Sequence, residues 1–172
     1  VISVNPNPVI ANVTHPAICS ENAFTVTPTN GSGNIVPTGT TYTWTISNNS
    51  NITGASASST PGITTISQTL TNTTNTAQTI VYTVTPTSGD VGNCVGNTFT
   101  ITVVVNPKPL VMATTQTICS GTAFTATPTN GSGNSVPSTT TYTWTTPISS
   151  PSGAITGGLA QATGLNTISQ LQ

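Results

Sequence analysis

Few side chains in this 172-residue sequence can do chemistry, and their spacing narrows what they can do. The acids are Glu21 and Asp90, the one basic residue is Lys108, the one histidine is His15, and the cysteines are Cys19, Cys94 and Cys119. Paired-carboxylate catalysis would have to use both acids. A Ser-His-acid relay would have to recruit His15, because there is no other base. A zinc site needs several Cys or His ligands close together. Neither Cys19 nor Cys94 has a second Cys or a partner His at ligand spacing, so we expect no metal and no cofactor. The chemistry left to Cys19 and Cys94 is oxidation to a disulfide. Such a bridge would close a loop of 75 residues (94 − 19). Loop closure of that length stabilises a fold by roughly 4 kcal/mol. It would also point to an oxidising compartment.

The elements that position these residues occur twice. Ile18-Cys19-Ser20 returns as Ile118-Cys119-Ser120, an offset of 100 residues (119 − 19). Thr27 to Asn34 is repeated letter for letter from Thr127 to Asn134, and Thr41-Tyr42-Thr43-Trp44-Thr45 returns as Thr141-Tyr142-Thr143-Trp144-Thr145. A period of about 100 residues matches a whole small β-sandwich rather than a solenoid turn. Three segments are expected: residues 1–6 as the end of a preceding repeat's last strand with its linker, 7–106 as a complete repeat, and 107–172 as a second repeat without its C-terminal strands. On this reading the partner of Cys119 lies outside the chain, and a neighbour's strand is one way to complete the second repeat. Glu21 becomes Gly121 and His15 becomes Thr115, so the candidate catalytic groups do not follow the repeat.

Hydrophobic periodicity predicts an all-β fold. Tyr42, Trp44 and Ile46 alternate with threonines, as do Phe24 and Val26, and Ile80, Tyr82 and Val84 share one phase. Phe99, Ile101, Val103 and Val105 continue the pattern. Period two marks half-buried strands, and threonine on the outer face is itself strand-forming. This alternation argues against the disordered stalk that a Thr/Ser/Gly/Pro-rich composition otherwise suggests. Asn30 to Asn34, Ser47 to Asn51, Pro61-Gly62 and Ser88-Gly89-Asp90 read as turns. About seven short strands per repeat, in two facing sheets, are expected.

Tyr42 and Trp44, like Tyr142 and Trp144, share one strand face. With aromatics at 5% of the chain, these rings are expected in the core; a sugar-stacking platform is the sharper alternative. Pro6, Pro8, Pro107 and Pro109 are expected to make short, semi-rigid linkers. Asn5, Asn7 and Asn106 offer such a joint only neutral amides, which argues against calcium there. The sequons at Asn12, Asn51 and Asn72 are common by chance in a chain this rich in Asn and Thr.

Charge excludes further classes. Charged residues make up 2% of the chain, against about 25% in an ordinary soluble domain. The formal net charge of −1 leaves no basic patch for nucleic acid and no attraction to an anionic membrane surface. Apolar runs fall far short of the ~20 residues of a membrane span, so membrane insertion is not expected. Scarce charge also removes the repulsion that keeps copies apart.

Taken together, Ile18-Cys19-Ser20, Phe24-Thr25-Val26-Thr27-Pro28, Tyr42-Thr43-Trp44-Thr45, Val81-Tyr82-Thr83-Val84-Thr85-Pro86, Asn93-Cys94-Val95-Gly96 and the run from Phe99 to Pro109 carry a resemblance. The chain resembles the PKD-like and immunoglobulin-like tandem repeats of giant surface proteins in Bacteroidota. The resemblance implies tandem immunoglobulin-like β-sandwiches, with Cys19 and Cys94 paired and Trp44 buried, and export to the cell surface, often through type IX secretion. It implies a non-catalytic stalk, fibre or filament whose partners are adjacent copies of the repeat. The alternative is an adhesive module that recognises glycans or surfaces.

Overall fold

In the computed structural model, Ile2, residues 4–89 and residues 93–171 are described, and there is no helix among them. Asp90, and the Val1 and Ser3 of the expected strand remnant, lie outside the described residues. The chain forms two compact units, Val1–Pro107 and Lys108–Gln172.

The first unit packs two sheets face to face. One holds β1 (Val13–Thr14), β2 (Ile18–Cys19), β4 (Thr41–Ile46), β7 (Gln78–Thr87) and β8 (Phe99–Asn106), in the order β1-β8-β7-β4. β2 pairs with β8 beyond β1, so the two short strands form one interrupted edge, parallel to β8. The other sheet is β3 (Asn22–Val26), β6 (Ile66–Asn72) and β5 (Ile52–Thr53), in the order β3-β6-β5. The long central pair β7–β8 is antiparallel, running from Gln78↔Val105 to Val84↔Phe99.

Alternation decides which side chains meet between the sheets. Phe99, Ile101, Val103 and Val105 of β8 all point inward and are at most 2% exposed. Ile80, Tyr82 and Val84 of β7 meet Phe24 of β3 and Ile66 and Leu70 of β6 across the sandwich. Phe24 and Tyr82 are tilted against each other with ring centroids 4.9 Å apart. Each of these large side chains contributes about 1.5–3 kcal/mol by leaving water.

Among its described residues the second unit forms β9 (Ala123–Ala126), β10 (Tyr142–Trp144), β11 (Gln161–Leu165) and β12 (Ile168–Leu171). β12 pairs with β9 and β10 with β11, both antiparallel. The pairing Ile168↔Ala126, Ser169↔Thr125, Gln170↔Phe124 repeats the first unit's Ile66↔Val26, Ser67↔Thr25, Gln68↔Phe24. The local hydrogen bonds of the Asn-Gly-Ser-Gly-Asn turn recur as well. Asn34 Oδ1 accepts from the Ala11 N–H at 2.9 Å, and Asn134 Oδ1 from the Met112 N–H at 2.7 Å. Asn30 Oδ1 accepts from the Val36 N–H at 3.0 Å, and Asn130 Oδ1 from the Val136 N–H at 2.6 Å.

Candidate functional site

The cysteines are not where the sequence reading put them. Cys19, Cys94 and Cys119 are all free thiols. Cys19 ends β2 and stands beside Asn106, the last residue of β8. Cys94 comes before β8 begins, where the Ser88 N–H donates to its carbonyl at 2.9 Å and its own N–H donates to Ser88 Oγ at 3.0 Å. The two residues therefore sit at opposite poles of the first unit. The seven residue steps from Phe99 to Asn106 alone span about 23 Å at ~3.3 Å per step. A disulfide needs Cα atoms within about 7 Å. The expected Cys19–Cys94 bridge inside one unit is thus corrected: the sandwich is held by its core without it, and the oxidising compartment inferred from that bridge loses this support.

The linker prolines divide. Pro6 and Pro109 are exposed and Pro107 is half-buried. Pro8, by contrast, is fully enclosed. Gly96 packs against the Pro8 carbonyl so closely that a Cβ at position 96 would land on that oxygen. Pro8 is therefore part of the sandwich rather than of the linker in which the proline pattern placed it. The incoming chain is anchored at the Cys94 pole, and the outgoing chain leaves β8 at the Cys19 pole.

Tyr42 and Trp44 lie in the core at 2% and 7% exposure. Tyr142 and Trp144 in the second unit are half-buried. The Tyr142 hydroxyl is a buried oxygen without a hydrogen-bond partner among the described residues.

Sequence reasoning missed the polar residues that hold these rings. Ile66, Gln68, Leu70 and Asn72 share the inward phase of β6, so two polar side chains enter the sandwich. Gln68 Nε2 donates to the Ser56 carbonyl and to Ser56 Oγ, both at 2.8 Å, while its Oε1 accepts from the Ser56 N–H at 3.1 Å and from the Tyr82 hydroxyl at 2.8 Å. The Trp44 indole N–H donates to the same Ser56 carbonyl at 2.9 Å. Asn72, 6% exposed, donates to the Thr76 carbonyl at 2.7 Å and the Val105 carbonyl at 2.8 Å, and accepts from the Thr74 N–H and hydroxyl. Its backbone N–H donates to Ser20 Oγ at 2.9 Å. A signal was available: Gln68 keeps the parity of Ile66 and Leu70 and returns as Gln170.

The network around Gln68 and Asn72 is made of neutral amides, hydroxyls and backbone groups. Burial pushes the hydroxyls of Tyr42 and, further, Tyr82 above the usual phenol range, so both stay neutral. His15 holds its Nδ1 2.7 Å from the Pro16 carbonyl and sets its ring edge-on to Phe24. Glu21 occupies a turn at φ 72°, and its counterpart Gly121 has φ 78°. The position is one of backbone shape, which explains why the acid is exchanged for glycine. Among the described residues no group of three Cys, His, Asp or Glu could hold a metal, and no helix is long and apolar enough to cross a membrane.

A three-on-five-stranded sandwich with an enclosed tryptophan and a stitched core defines the class: an immunoglobulin-like β-sandwich module. Its sequence matches the PKD-like domain family over residues 16–109, more than half the chain, and the chain belongs to that family. PKD-like domains are generally non-catalytic and commonly extracellular, and typically serve as structural or adhesive modules. No curated protein matches the chain.

Proposed function

We propose that the chain is a structural segment of an extracellular bacterial stalk, fibre or filament, of the kind built from tandem repeats in giant surface proteins. The observation that carries this reading is the placement of the chain's passage through the first unit. Pro8 is fixed at one pole, and β8 delivers Asn106 to the other. A module entered at one pole and left at the other adds its whole length to an array. The repeat of sequence, strand register and turn hydrogen bonds from residue 108 onward supports a second copy of the same module. Neighbouring copies of the repeat are its proposed partners. Trp44 is enclosed, so in the first unit the ring that an adhesive, sugar-stacking reading would use is occupied by the core; this favours the structural reading over glycan recognition.

The test is electron microscopy of the native polypeptide together with antibody labelling of intact cells. The expected result is surface label on thin rods with an axial period of one sandwich. Label confined to permeabilised cells, or compact particles without axial repeat, would overturn the proposal.

A further inference from the structure

The cysteines that cannot meet inside one unit stand where two copies can meet. Cys19 is exposed at the pole from which the chain leaves, beside Asn106; Cys94 is half-buried at the pole where the chain arrives, on the segment that packs Gly96 against Pro8. The outgoing cysteine recurs. Cys119 follows the same Ile and precedes the same Ser, is exposed, and heads the same turn, in which the Thr122 hydroxyl donates to the Cys119 carbonyl. A module with different thiols at its two poles is built for head-to-tail linkage. Such a heterologous contact does not close on itself and yields an open chain.

We propose that Cys19 (or its counterpart Cys119) of one copy and Cys94 of a second copy form an intermolecular disulfide that locks modules pole to pole. The pairing deepens the structural reading above and rests on it only for the oxidising surroundings. The chemistry is thiol–disulfide exchange with a low-molecular-weight disulfide such as oxidised glutathione. The exposed Cys19 thiolate attacks one sulfur of the oxidant; a mixed disulfide forms and one glutathione thiolate leaves. The Cys94 thiolate of the second copy then attacks the Cys19 sulfur, expelling the second glutathione. Two protein thiols are oxidised and one glutathione disulfide is reduced to two thiols; the two protons the cysteines give up are taken up by the two departing glutathione thiolates. The backbone of Cys94 is held on both sides by Ser88, so this thiol is presented from a fixed position, while Cys19 is the accessible one that meets the oxidant first.

The experiment uses the whole chain, purified reduced and incubated with oxidised glutathione at mildly alkaline pH. Non-reducing electrophoresis and mass mapping of cross-linked peptides follow. The expected result is a ladder of oligomers that collapses on reduction. Peptides joining Cys94 to Cys19 or Cys119 should exceed Cys19–Cys19 and Cys94–Cys94 links at least tenfold. Cys94→Ser should abolish the ladder, with circular dichroism verifying that the fold is kept. The mapping on the unaltered chain decides the matter even if a variant misfolds. A chain that stays monomeric, carries glutathione on all three cysteines, bridges Cys19 to Cys94 internally, or links like to like overturns the proposal. None of these outcomes bears on where the protein resides, so the function proposed above would stand or fall separately.

Discussion

Trp44 and Gln68 converge on a single acceptor, the carbonyl oxygen of Ser56, at 2.9 Å and 2.8 Å. In the second unit Trp144 and Gln170 converge in the same way on the Leu159 carbonyl. The residue supplying the carbonyl differs between units, and the geometry does not. The shared element is a backbone oxygen with two lone pairs; Ser56 adds its Oγ as a further acceptor for Gln68, and Leu159 has no such group to offer.

Gln68→Ala should destabilise the first unit by about 2–4 kcal/mol, because it leaves the Tyr82 hydroxyl and the Ser56 amide without this partner and opens a cavity. Tyr82→Phe, which removes one donor and no volume, should cost about 1 kcal/mol. Urea unfolding followed by Trp fluorescence separates the two. Equal losses for both variants would mean that Gln68 merely fills space.

Asn72 belongs to an Asn-Thr-Thr sequon, yet its side chain is bonded on both sides inside the fold. It should remain unmodified when the chain is produced in a glycosylating host, whereas Asn12 and Asn51, each with one side-chain hydrogen bond, are exposed and should be modified more readily. Site mapping by mass spectrometry tests this. Asn72→Ala should lower stability by about 2–3 kcal/mol by stranding the Val105 and Thr76 carbonyls.

Alkaline pH should destabilise the first unit. Tyr42 and Tyr82 have folded-state pKa values raised by burial above the unfolded value of about 10. Above that pH the unfolded chain gives up protons that the native state keeps. Stability conferred by the two buried phenols is therefore complete below pH ~10 and is lost as pH climbs toward their folded values. A thermal midpoint that is unchanged from pH 9 to 12 would contradict the placement of these rings.

Reductant should leave the first unit as stable as before. Cys19→Ser and Cys94→Ser should each shift its unfolding free energy by no more than about 0.5 kcal/mol, the range of ordinary surface changes. A bridge inside the unit would instead show a loss near 4 kcal/mol on reduction. Calorimetry with and without dithiothreitol distinguishes them.

Much of the sandwich was legible in the residues. β4, β7 and β8 announce themselves because their inward positions are mostly apolar: Tyr42 and Trp44; Ile80, Tyr82 and Val84; Phe99, Ile101, Val103 and Val105. β6 was harder to read, since half of its inward positions are Gln68 and Asn72 and the pattern looks polar until their partners are known. β1, β2 and β5 are two residues each, too short for any period to register. The cysteine error has the same root. Sequence places Cys19 before β3 and Cys94 before β8, but which pole each occupies depends on strand direction. Cys19 ends a strand parallel to β8 and so reaches the finish of β8, while Cys94 stands before its start. Spacing along the chain carries no information about that.

The parallel edge formed by β1 and β2 against β8 also governs how the unit answers tension. Pulled from Pro8 and Asn106, the first and last strands slide along each other in shear. The His15 amide bond to the Thr102 carbonyl and the Ser20 amide bond to the Asn106 carbonyl must yield together with the Asn12 bond to the Thr100 amide, rather than unzip in turn. Single-molecule stretching should record one abrupt high-force rupture for this unit; gradual peeling at low force would mean the edge bears no load. A sandwich clasped in this manner resists drag without a covalent brace inside it.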